Sequence, residues 1–311
     1  MYSMNRTFKD YFVIALKGMA MGAADVVPGV SGGTIAFISG IYNELIDSIN
    51  SINLKNLKLW KTDGFVVMFK AMNGSFLLSL FIGIGISIIS LAQLFKFLLE
   101  TRPILLWSFF FGLVVASVLF IGKQIPKWNV LNVILLIFGA VVAYYITIIP
   151  AMNASNNSPL FLILAGALAI CAMILPGISG AFILLLLGAY KPALDAIHNH
   201  DFKRIAFLAL GAIIGMFSFA KVLKWLFEHY KNATLAILTG FVLGSLNKIW
   251  PWKKVIKSEV INEKIMILEE KAILPSHFEG ENHFTIAIIL AVIGFVLILF
   301  LEKIGRQNSK M

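Results

Sequence analysis

Two short stretches of this sequence carry residue types that could bind an anion. Residues 28–34 read PGVSGGT, and residues 176–180 read PGISG. In each stretch Pro removes a backbone donor and Gly raises the entropic cost of a helix, so a helix ends there. A helix that begins again after such a break presents unpaired N–H groups and the positive end of its dipole, which suit a phosphate. The sequence therefore predicts two anion-binding sites, at a first break (28–34) and a second break (176–180).

The candidate phosphate ligands are the glycines and hydroxyl residues of the two breaks. Hydroxyl groups can donate hydrogen bonds to phosphate oxygens, while glycines let the backbone approach a ligand closely. The predicted phosphate-binding residues are Gly29, Ser31, Gly32, Gly33, Thr34, Gly177, Ser179 and Gly180. The alternative for a single break is a packing kink where two helices cross. Two copies in corresponding positions favour a binding site.

Asp25 lies in an apolar segment just before the first break. A charge at the bilayer centre costs from about 2.5 to more than 10 kcal/mol, so it usually has a function. A carboxylate at the end of a helix opposes the dipole and needs a cation, a proton or a basic partner. Lys17 is one candidate partner, and Lys221 or Lys224 from the second half are others. Asp25, Lys17 and Glu44 are therefore predicted to serve ion coupling or a charge pair.

The remaining ionisable residues suggest little further chemistry. Glu44, Asp47, Lys191 and Asp195 lie near the ends of the segments that follow the breaks, where a solvated, interfacial role is expected. The five histidines lie in loops without ligand spacing, and Cys171 is the single cysteine, so neither a metal site nor a disulfide is predicted. No cofactor is predicted other than a coupling proton or sodium ion.

The composition is that of a membrane protein with several spans. Of the 311 residues, 59% are hydrophobic and only 14% are charged, and the mean hydropathy is +0.89. Soluble domains carry about 25% charged residues. The net charge is +10, but the basic residues lie between apolar spans and form no stripe with stacking aromatics. Nucleic acid is therefore not an expected partner, whereas anionic membrane lipids are.

The elements that must position the two breaks form two similar halves, residues 1–149 and 159–311, joined by an uncharged linker at 150–158. Each half is predicted to hold two short apolar segments, one on each side of its break, and then three full spans of about 20 residues. The segments are 11–26, 33–49, 76–99, 104–122 and 130–149 in the first half, and 159–175, 179–197, 205–228, 232–249 and 284–302 in the second. The predicted fold class is therefore an all-α polytopic membrane protein.

Two polar insertions interrupt this plan. Residues 50–74 carry Lys55, Lys58 and Lys61 at three-residue spacing beside apolar residues, which predicts a helix lying on an anionic membrane face. Residues 250–283 form a long loop of mixed charge between the last two spans. In the first half, residues 18–22 read GMAMG, a pattern of small residues that lets two helices approach closely.

The two halves repeat one another beyond the breaks. Shifted by 148 positions, residues 26–49 match 174–197 at nine of 24 positions; shifted by 128, residues 83–117 match 211–245 at ten of 35. Each half crosses the membrane an odd number of times, whether its broken pair of segments is re-entrant, as we expect, or spans twice. The halves are therefore predicted to be inverted relative to one another.

The distribution of basic residues predicts the orientation of the chain. Cytoplasmic loops carry an excess of Lys and Arg, which places both termini and the 50–74 insertion in the cytoplasm, together with Lys123 and Lys127. The 150–158 linker and the 250–283 loop are then extracytoplasmic. The oligomeric state is left open.

The breaks and their flanks resemble those of the bacterial polyprenyl-phosphate transporter family, the undecaprenyl phosphate translocases. The resemblance rests on residues 22–34 (GAADVVPGVSGGT) followed by 40–42 (GIY), and on residues 172–180 (AMILPGISG) followed by 188–190 (GAY). It implies return of undecaprenyl phosphate, the lipid carrier of cell-wall precursors, from the outer to the inner leaflet of the bacterial cytoplasmic membrane. The chain departs from the pattern after the second break, with Ala181 where the first has Gly33, and with Lys191-Pro192 after the tyrosine.

Two other functions are compatible with parts of the pattern. Undecaprenyl pyrophosphate phosphatases are similar in outline, but phosphoryl transfer needs an Arg to neutralise charge and a nucleophile or base beside it. Neither Arg nor His lies near either break, so we expect no enzyme activity. A carrier or channel for small soluble anions is the third alternative, because a lipid tail requires only a gap between helices.

Overall fold

The computed structural model describes residues 6–26, 30–150, 158–261 and 264–308. Within these ranges the chain forms fourteen α-helices, one two-stranded sheet and a short 3-10 turn at Pro275–His277. The helices of the first half are α1 Phe8–Val26, α2 Gly32–Ile38, α3 Tyr42–Ser51, α4 Leu54–Thr62, α5 Phe65–Ala71, α6 Gly74–Thr101, α7 Pro103–Gly122 and α8 Val130–Ile148. Those of the second half are α9 Pro159–Ile174, α10 Gly180–Leu186, α11 Tyr190–His198, α12 Phe202–His229, α13 Lys231–Ser245 and α14 Phe284–Asn308.

The helices confirm a protein with several membrane spans. Four of the described helices, α6, α7, α8 and α12, are long and apolar enough to cross a bilayer, or five elements if the bent pair α10 and α11 counts as one span. Helices α9 and α14 contribute shorter apolar stretches. Large apolar side chains are exposed along α6, α8, α12 and α14, as expected for surfaces that face lipid tails.

The segment after each break was predicted as one helix and is in fact two. Gly40, with φ +74°, separates α2 from α3, and Gly188, with φ +70°, separates α10 from α11. Glycine adopts a positive φ without the steric penalty that other residues incur, so it ends a helix sharply. The bend between α10 and α11 is 108°.

Glycines hold the helices together in matched pairs. Helix α1 packs on α6, and α9 packs on α12. A Cβ on Gly18 would collide with the backbone of Leu80, and a Cβ on Gly166 would collide with the backbone of Leu208. Gly166 and Leu208 are the positions that correspond to Gly18 and Leu80 under the shifts of 148 and 128 found in the sequence. The two halves therefore repeat a helix contact residue by residue, and the predicted small-residue face of α1 is confirmed.

The third span of each half packs on the second span of the other half. Helix α7 packs on α14, and α13 packs on α8. A Cβ on Gly294 of α14 would collide with Phe109 of α7, and a Cβ on Gly139 of α8 would collide with Ile237 of α13. Phe109 and Ile237 correspond under the shift of 128. The two halves are thus interlocked, because the last helix of each half packs against a helix of the other half.

The 250–283 loop contains a β-hairpin that the sequence analysis did not predict. Strands β1 Lys253–Ile261 and β2 Lys264–Ala272 pair antiparallel. The base of the hairpin is anchored, because the indole N–H of Trp250 donates to the Ile273 carbonyl at 2.9 Å and that of Trp252 donates to the Asn282 carbonyl at 2.8 Å. The 50–74 insertion forms two helices, α4 and α5, where one was predicted, and the lysines of α4 are exposed. Contact of α4 with a membrane stays a prediction.

Candidate functional site

The two breaks lie in direct contact, as predicted. The Ser31 hydroxyl lies 3.3 Å from the carbonyl oxygen of Met173 and 3.2 Å from that of Leu175. The backbone N–H of Gly177 donates to the Thr34 hydroxyl oxygen at 2.9 Å. These groups from residues 142 to 144 positions apart form one site. Pro28 and Gly29 lie outside the described residues.

Hydroxyl groups of the first half donate hydrogen bonds to backbone carbonyls at the second break. Helix α9 ends at Ile174, so its last carbonyls have no partner within the helix. The Tyr42 hydroxyl donates to the Ile174 carbonyl at 3.1 Å, next to the carbonyls that Ser31 contacts. Tyr42 is 2% exposed and was not predicted as a site residue. The signal that could have identified it is its recurrence as Tyr190 at the same distance from the second break.

The first turn of α2 is bonded to oxygen atoms of the protein itself. Ser31 is the N-cap, and its hydroxyl accepts from the Gly33 N–H at 3.1 Å. The Gly32 N–H donates to Asp25 Oδ1 at 2.7 Å. All seven residues of α2 are buried. The carboxylate of Asp25 thus occupies the place where the sequence predicts a phosphate.

The glycines of the breaks serve close packing in this structure. A Cβ on Gly33 would lie 2.7 Å from the Ile174 carbonyl oxygen, and a Cβ on Gly180 would lie 2.6 Å from that of Ala169. Such distances exclude any side chain unless the backbone moves. Gly177 has φ +90°, where glycine is strongly favoured.

The second break differs because the hydroxyl of its serine makes no capping hydrogen bond. Ser179 is the N-cap of α10, its hydroxyl makes no capping hydrogen bond, and the residue is only 7% exposed. It lines a small, partly enclosed cleft together with Gly177, Phe182, Ser245 and Lys248. Residues of α8 form the opposite wall of this cleft. We call it the Ser179 cleft.

Lys248 is a cationic residue of this cleft that sequence reasoning missed. Its ammonium lies 4.5 Å from the centre of the Phe182 ring and 2.9 Å from Glu270 Oε1 on strand β2. It follows α13 by three positions. The sequence offers no signal for its role, because the hairpin that carries Glu270 was not predicted.

Lys253 of strand β1 contacts the same carboxylate oxygen. Its ammonium lies 3.1 Å from Glu270 Oε1, 4.1 Å from the centre of the Trp107 ring, and donates to the Lys248 carbonyl at 2.6 Å. Burial lowers the pKa of Lys253 to about 8, although the charge of Glu270 acts in the opposite direction. Burial acts to raise the pKa of Glu270, yet the charges of Lys253 and Lys248 outweigh it and the pKa is lowered. Glu270 therefore stays ionised between two lysines.

Lys17 and Lys224, two of the candidate partners of Asp25, contact other groups in the described part of the chain. The ammonium of Lys17 donates to the Ser39 carbonyl at 2.7 Å, at the C-terminal end of α2, where a cation complements the helix dipole. Lys224 lies 3.0 Å from Asp47 Oδ1. The three residues predicted for ion coupling are therefore distributed over separate contacts.

Glu44 is buried, so the expectation of a solvated role is wrong for this residue. It is 5% exposed, and Arg6 binds both of its carboxylate oxygens, at 2.6 Å and 2.7 Å. The amide of Asn73 also donates to it, at 2.9 Å. The bidentate Arg contact makes Glu44 a charge pair that fixes the start of the chain to α3. Among the described residues, no group of three or more His, Cys, Asp and Glu side chains could hold a metal ion.

Comparisons with known proteins agree with this architecture. Residues 21–266 match the family model described as undecaprenyl phosphate translocase-like. The chain is 45% identical, over 96% of its own length and 98% of the relative's, to a polyprenyl-phosphate transporter of Vibrio cholerae. It is 30% identical, over 94% and 97% of the two lengths, to a polyprenyl-phosphate transporter of Staphylococcus aureus. No solved structure matches. These names describe transporters, and they confirm the expectation that the chain is not an enzyme.

Proposed function

We propose that this chain, which belongs to the undecaprenyl phosphate translocase-like family, returns undecaprenyl phosphate from the outer to the inner leaflet of the bacterial cytoplasmic membrane. Two relatives that align over nearly their whole length are named polyprenyl-phosphate transporters, which supports a polyprenyl phosphate as the substrate. The inward direction would recycle the lipid carrier for cell-wall synthesis.

The observation that carries this proposal is the Ser179 cleft. It combines a nearly buried hydroxyl that caps nothing with an ammonium group, Lys248, and both can donate to phosphate oxygens. One wall is formed by α8, which exposes large apolar side chains such as Val141 and Tyr145 elsewhere on its surface. A head group in the cleft could therefore leave its tail in lipid beside α8.

The first break enters the transport cycle by exchanging its partners. Ser31 and Thr34 hold the second break in the present structure, so they become available to a phosphate only when the two breaks separate. Gly29, Gly32, Gly33, Gly177 and Gly180 complete the proposed binding set. The two halves are proposed to be inverted repeats whose relative movement opens the site to each side in turn. Both termini then face the cytoplasm and the hairpin faces outward.

Ion coupling is proposed to act through Asp25. Its carboxylate accepts from the Gly32 N–H, the group that a phosphate at the first break would need. A proton or sodium ion bound to Asp25 would weaken this contact and release the first turn of α2. The cation and the anionic head group would then bind cooperatively, which is the basis of symport.

The experiment compares Ser179→Ala with Ser108→Ala in proteoliposomes that contain a fluorescent short-chain polyprenyl phosphate. Leaflet-resolved quenching should show Ser179→Ala flipping the lipid about tenfold more slowly, because a hydrogen bond to a charged group is lost. Ser108 is a buried serine of α7 whose hydroxyl donates to its own helix at the Ile104 carbonyl, so Ser108→Ala is the matched control. Equal rates for both variants would contradict the proposal.

Two further measurements separate the alternatives. Uptake of inorganic phosphate into the same vesicles would indicate a carrier of small anions. Release of phosphate from undecaprenyl pyrophosphate above background, lost in Ser31→Ala, would indicate a phosphatase. We expect neither.

A further inference from the structure

We propose that Lys248 and Lys253 form an anion receptor at the Ser179 cleft, and that Glu270 of the hairpin occupies this receptor until a phosphate group displaces it. The inference rests on the proposed function, because it concerns how the same cleft admits the head group. It gives the hairpin a role that the sequences of the breaks do not suggest. The Glu270 carboxylate of the hairpin is an internal ligand that phosphate displaces.

The first observation is the charge imbalance at Glu270. Two ammonium groups contact one carboxylate oxygen, at 2.9 Å from Lys248 and 3.1 Å from Lys253. The cluster therefore has a net charge of +1 with Glu270 in place. A phosphate monoester carries a charge of about −1.5 to −2 at neutral pH, so it would balance two lysines better than one carboxylate does.

The second observation is geometric. The described contacts of Glu270 with both lysines use the single atom Oε1. A phosphate monoester offers three terminal oxygens, so it can accept from Lys248 and Lys253 through different atoms. A third oxygen remains for the Ser179 hydroxyl, which lines the same cleft as Lys248. Ser179 and Lys248 of the cleft, together with Lys253 beside Lys248, thus provide donors for a tetrahedral anion that a planar carboxylate cannot use fully.

The third observation is that the two lysines are positioned independently of Glu270. The Lys248 ammonium lies over the ring of Phe182 in α10, and the Lys253 ammonium lies over the ring of Trp107 in α7. Contacts of this kind attract a cation to the face of an aromatic ring. Lys253 also follows Trp252, which is 5% exposed and bonded through its indole N–H. The receptor would therefore persist when Glu270 leaves.

In the absence of substrate, the Glu270 carboxylate stabilises the two lysines. Two nearly buried lysines without an anion would be strongly destabilising. Glu270 offsets one of their charges, and it also links strand β2 to Lys248 of the cleft. Arrival of a phosphate would exchange one anion for another, so the hairpin would be released only when a head group replaces it.

The opposing explanation is that the cluster only attaches the hairpin to the helices. The two explanations differ in the effect of removing the charge of Glu270. An internal ligand competes with phosphate, so its removal strengthens phosphate binding. A purely structural anchor does not compete, so its removal leaves binding unchanged or weakens it.

The test measures the binding of farnesyl phosphate to the full chain in detergent by titration calorimetry. We expect Glu270→Gln to bind about tenfold more tightly and Lys248→Gln about tenfold more weakly, each reflecting one charge-assisted contact. The matched control is Glu279→Gln, which removes a carboxylate of the same loop from an exposed pair with Lys254 at 2.8 Å. We expect no change in that variant, because both partners of its pair are exposed to solvent.

A double variant keeps the proposal testable if Glu270→Gln does not fold. Lys248→Gln/Glu270→Gln retains the cluster's net charge of +1, and it should bind about as tightly as the wild type, because the loss of one lysine offsets the loss of the competing carboxylate. Binding by the double variant no tighter than that of Lys248→Gln alone would overturn the role of the carboxylate, and unchanged affinity in Lys248→Gln would overturn the receptor. Equal or weaker binding by a folded Glu270→Gln would overturn the role of the carboxylate.

Two other ligands separate this inference from the proposed function. Farnesol lacks the phosphate group, and inorganic phosphate lacks the tail. If the wild type binds farnesyl phosphate no better than farnesol, the proposed function fails. If the variants respond to inorganic phosphate as strongly as to farnesyl phosphate, the receptor is supported but the substrate is a soluble anion.

Discussion

The two breaks have similar sequences and opposite surroundings. At the first break the hydroxyls and N–H groups are bonded to protein atoms: Thr34 to the second break, and Gly32 to Asp25. At the second break the Ser179 hydroxyl makes no capping hydrogen bond, and the residue lines the Ser179 cleft. All seven residues of α2 are buried, whereas in α10 only Gly180 is. The first break is therefore a packed centre, and the second is the accessible part of the site.

The difference shows how one duplicated motif can take two roles. A carboxylate, Asp25, adjoins the first break, and an ammonium, Lys248, adjoins the second. The position that corresponds to Asp25 in the second half is Met173, so the charges are not part of the repeat. In this arrangement a cation is expected at the first break and an anion at the second.

The largest expected effect follows from removing the charge of the first break. Asp25→Asn keeps the shape of the side chain but removes the carboxylate that is proposed to bind the coupling ion. We expect leaflet-resolved transport to fall about a hundredfold, because an uncharged amide cannot exchange a proton or bind a sodium ion in the same way. Binding of a lipid phosphate should survive or become tighter. Normal transport with unchanged pH and sodium dependence would show that Asp25 serves packing alone.

The next effect concerns the close contact of the two breaks. Gly33→Ala would place a Cβ 2.7 Å from the Ile174 carbonyl oxygen, so the breaks must separate. Overpacking of this kind typically costs about 1–3 kcal/mol, and transport should fall with it. The matched control is Gly85→Ala in α6, where a Cβ would meet no atom within 4 Å. Equal thermal stability of the two variants in detergent would refute the contact.

A smaller effect is expected from the hydrogen bond between the breaks. Thr34→Val would leave the N–H of Gly177 without its partner, which costs about 1–3 kcal/mol for a buried group. The control is Thr239→Val in α13, since the Thr239 hydroxyl donates only to the Leu235 carbonyl of its own helix. The free energies of unfolding should differ between the variants. If they agree, the contact contributes nothing to stability.

The last prediction concerns the pH dependence of stability at Lys253 of the hairpin. Burial lowers the pKa of Lys253 from 10.5 to about 8, so between these values the unfolded chain binds more protons than the folded chain. Stability from this residue therefore rises as the pH increases from about 8 to 10.5, and it is constant below that range. Lys253→Met should lose this rise. An identical pH dependence in wild type and variant, measured by thermal unfolding, would contradict the lowered pKa.

The contact of the two breaks could be predicted from the sequence because it depends on repetition. Each Pro-Gly pair is followed by a similar sequence. Helix breaks of this kind are tolerated in a membrane only where they are buried in protein or line a water-filled cavity. The partners of the charged residues could not be predicted in the same way. Lys17 donates to the Ser39 carbonyl at the C-terminal end of α2, and the sequence analysis did not predict that a helix ends there.

The role of Lys248 could not be predicted from the local sequence pattern either. Its partner Glu270 lies 22 positions later, on a hairpin within the segment that the sequence analysis treated as a loop of mixed charge. Strand pairing depends on which side chains meet across the ladder and on what the sheet packs against. Here that support comes from Trp250 and Trp252, which anchor the hairpin to the loop that follows it.

The interlocked spans have a consequence for the synthesis of the protein. Gly112 of α7 is shaped to accept the backbone of Ala291 in α14, 179 positions later in the chain. At roughly 5–20 residues per second, a ribosome needs roughly 10–40 s to make that partner. During this interval Gly112 lacks the backbone partner that it has in the folded protein. The contact of α7 with α14 must therefore wait for the last helix, and truncation after α13 would remove it.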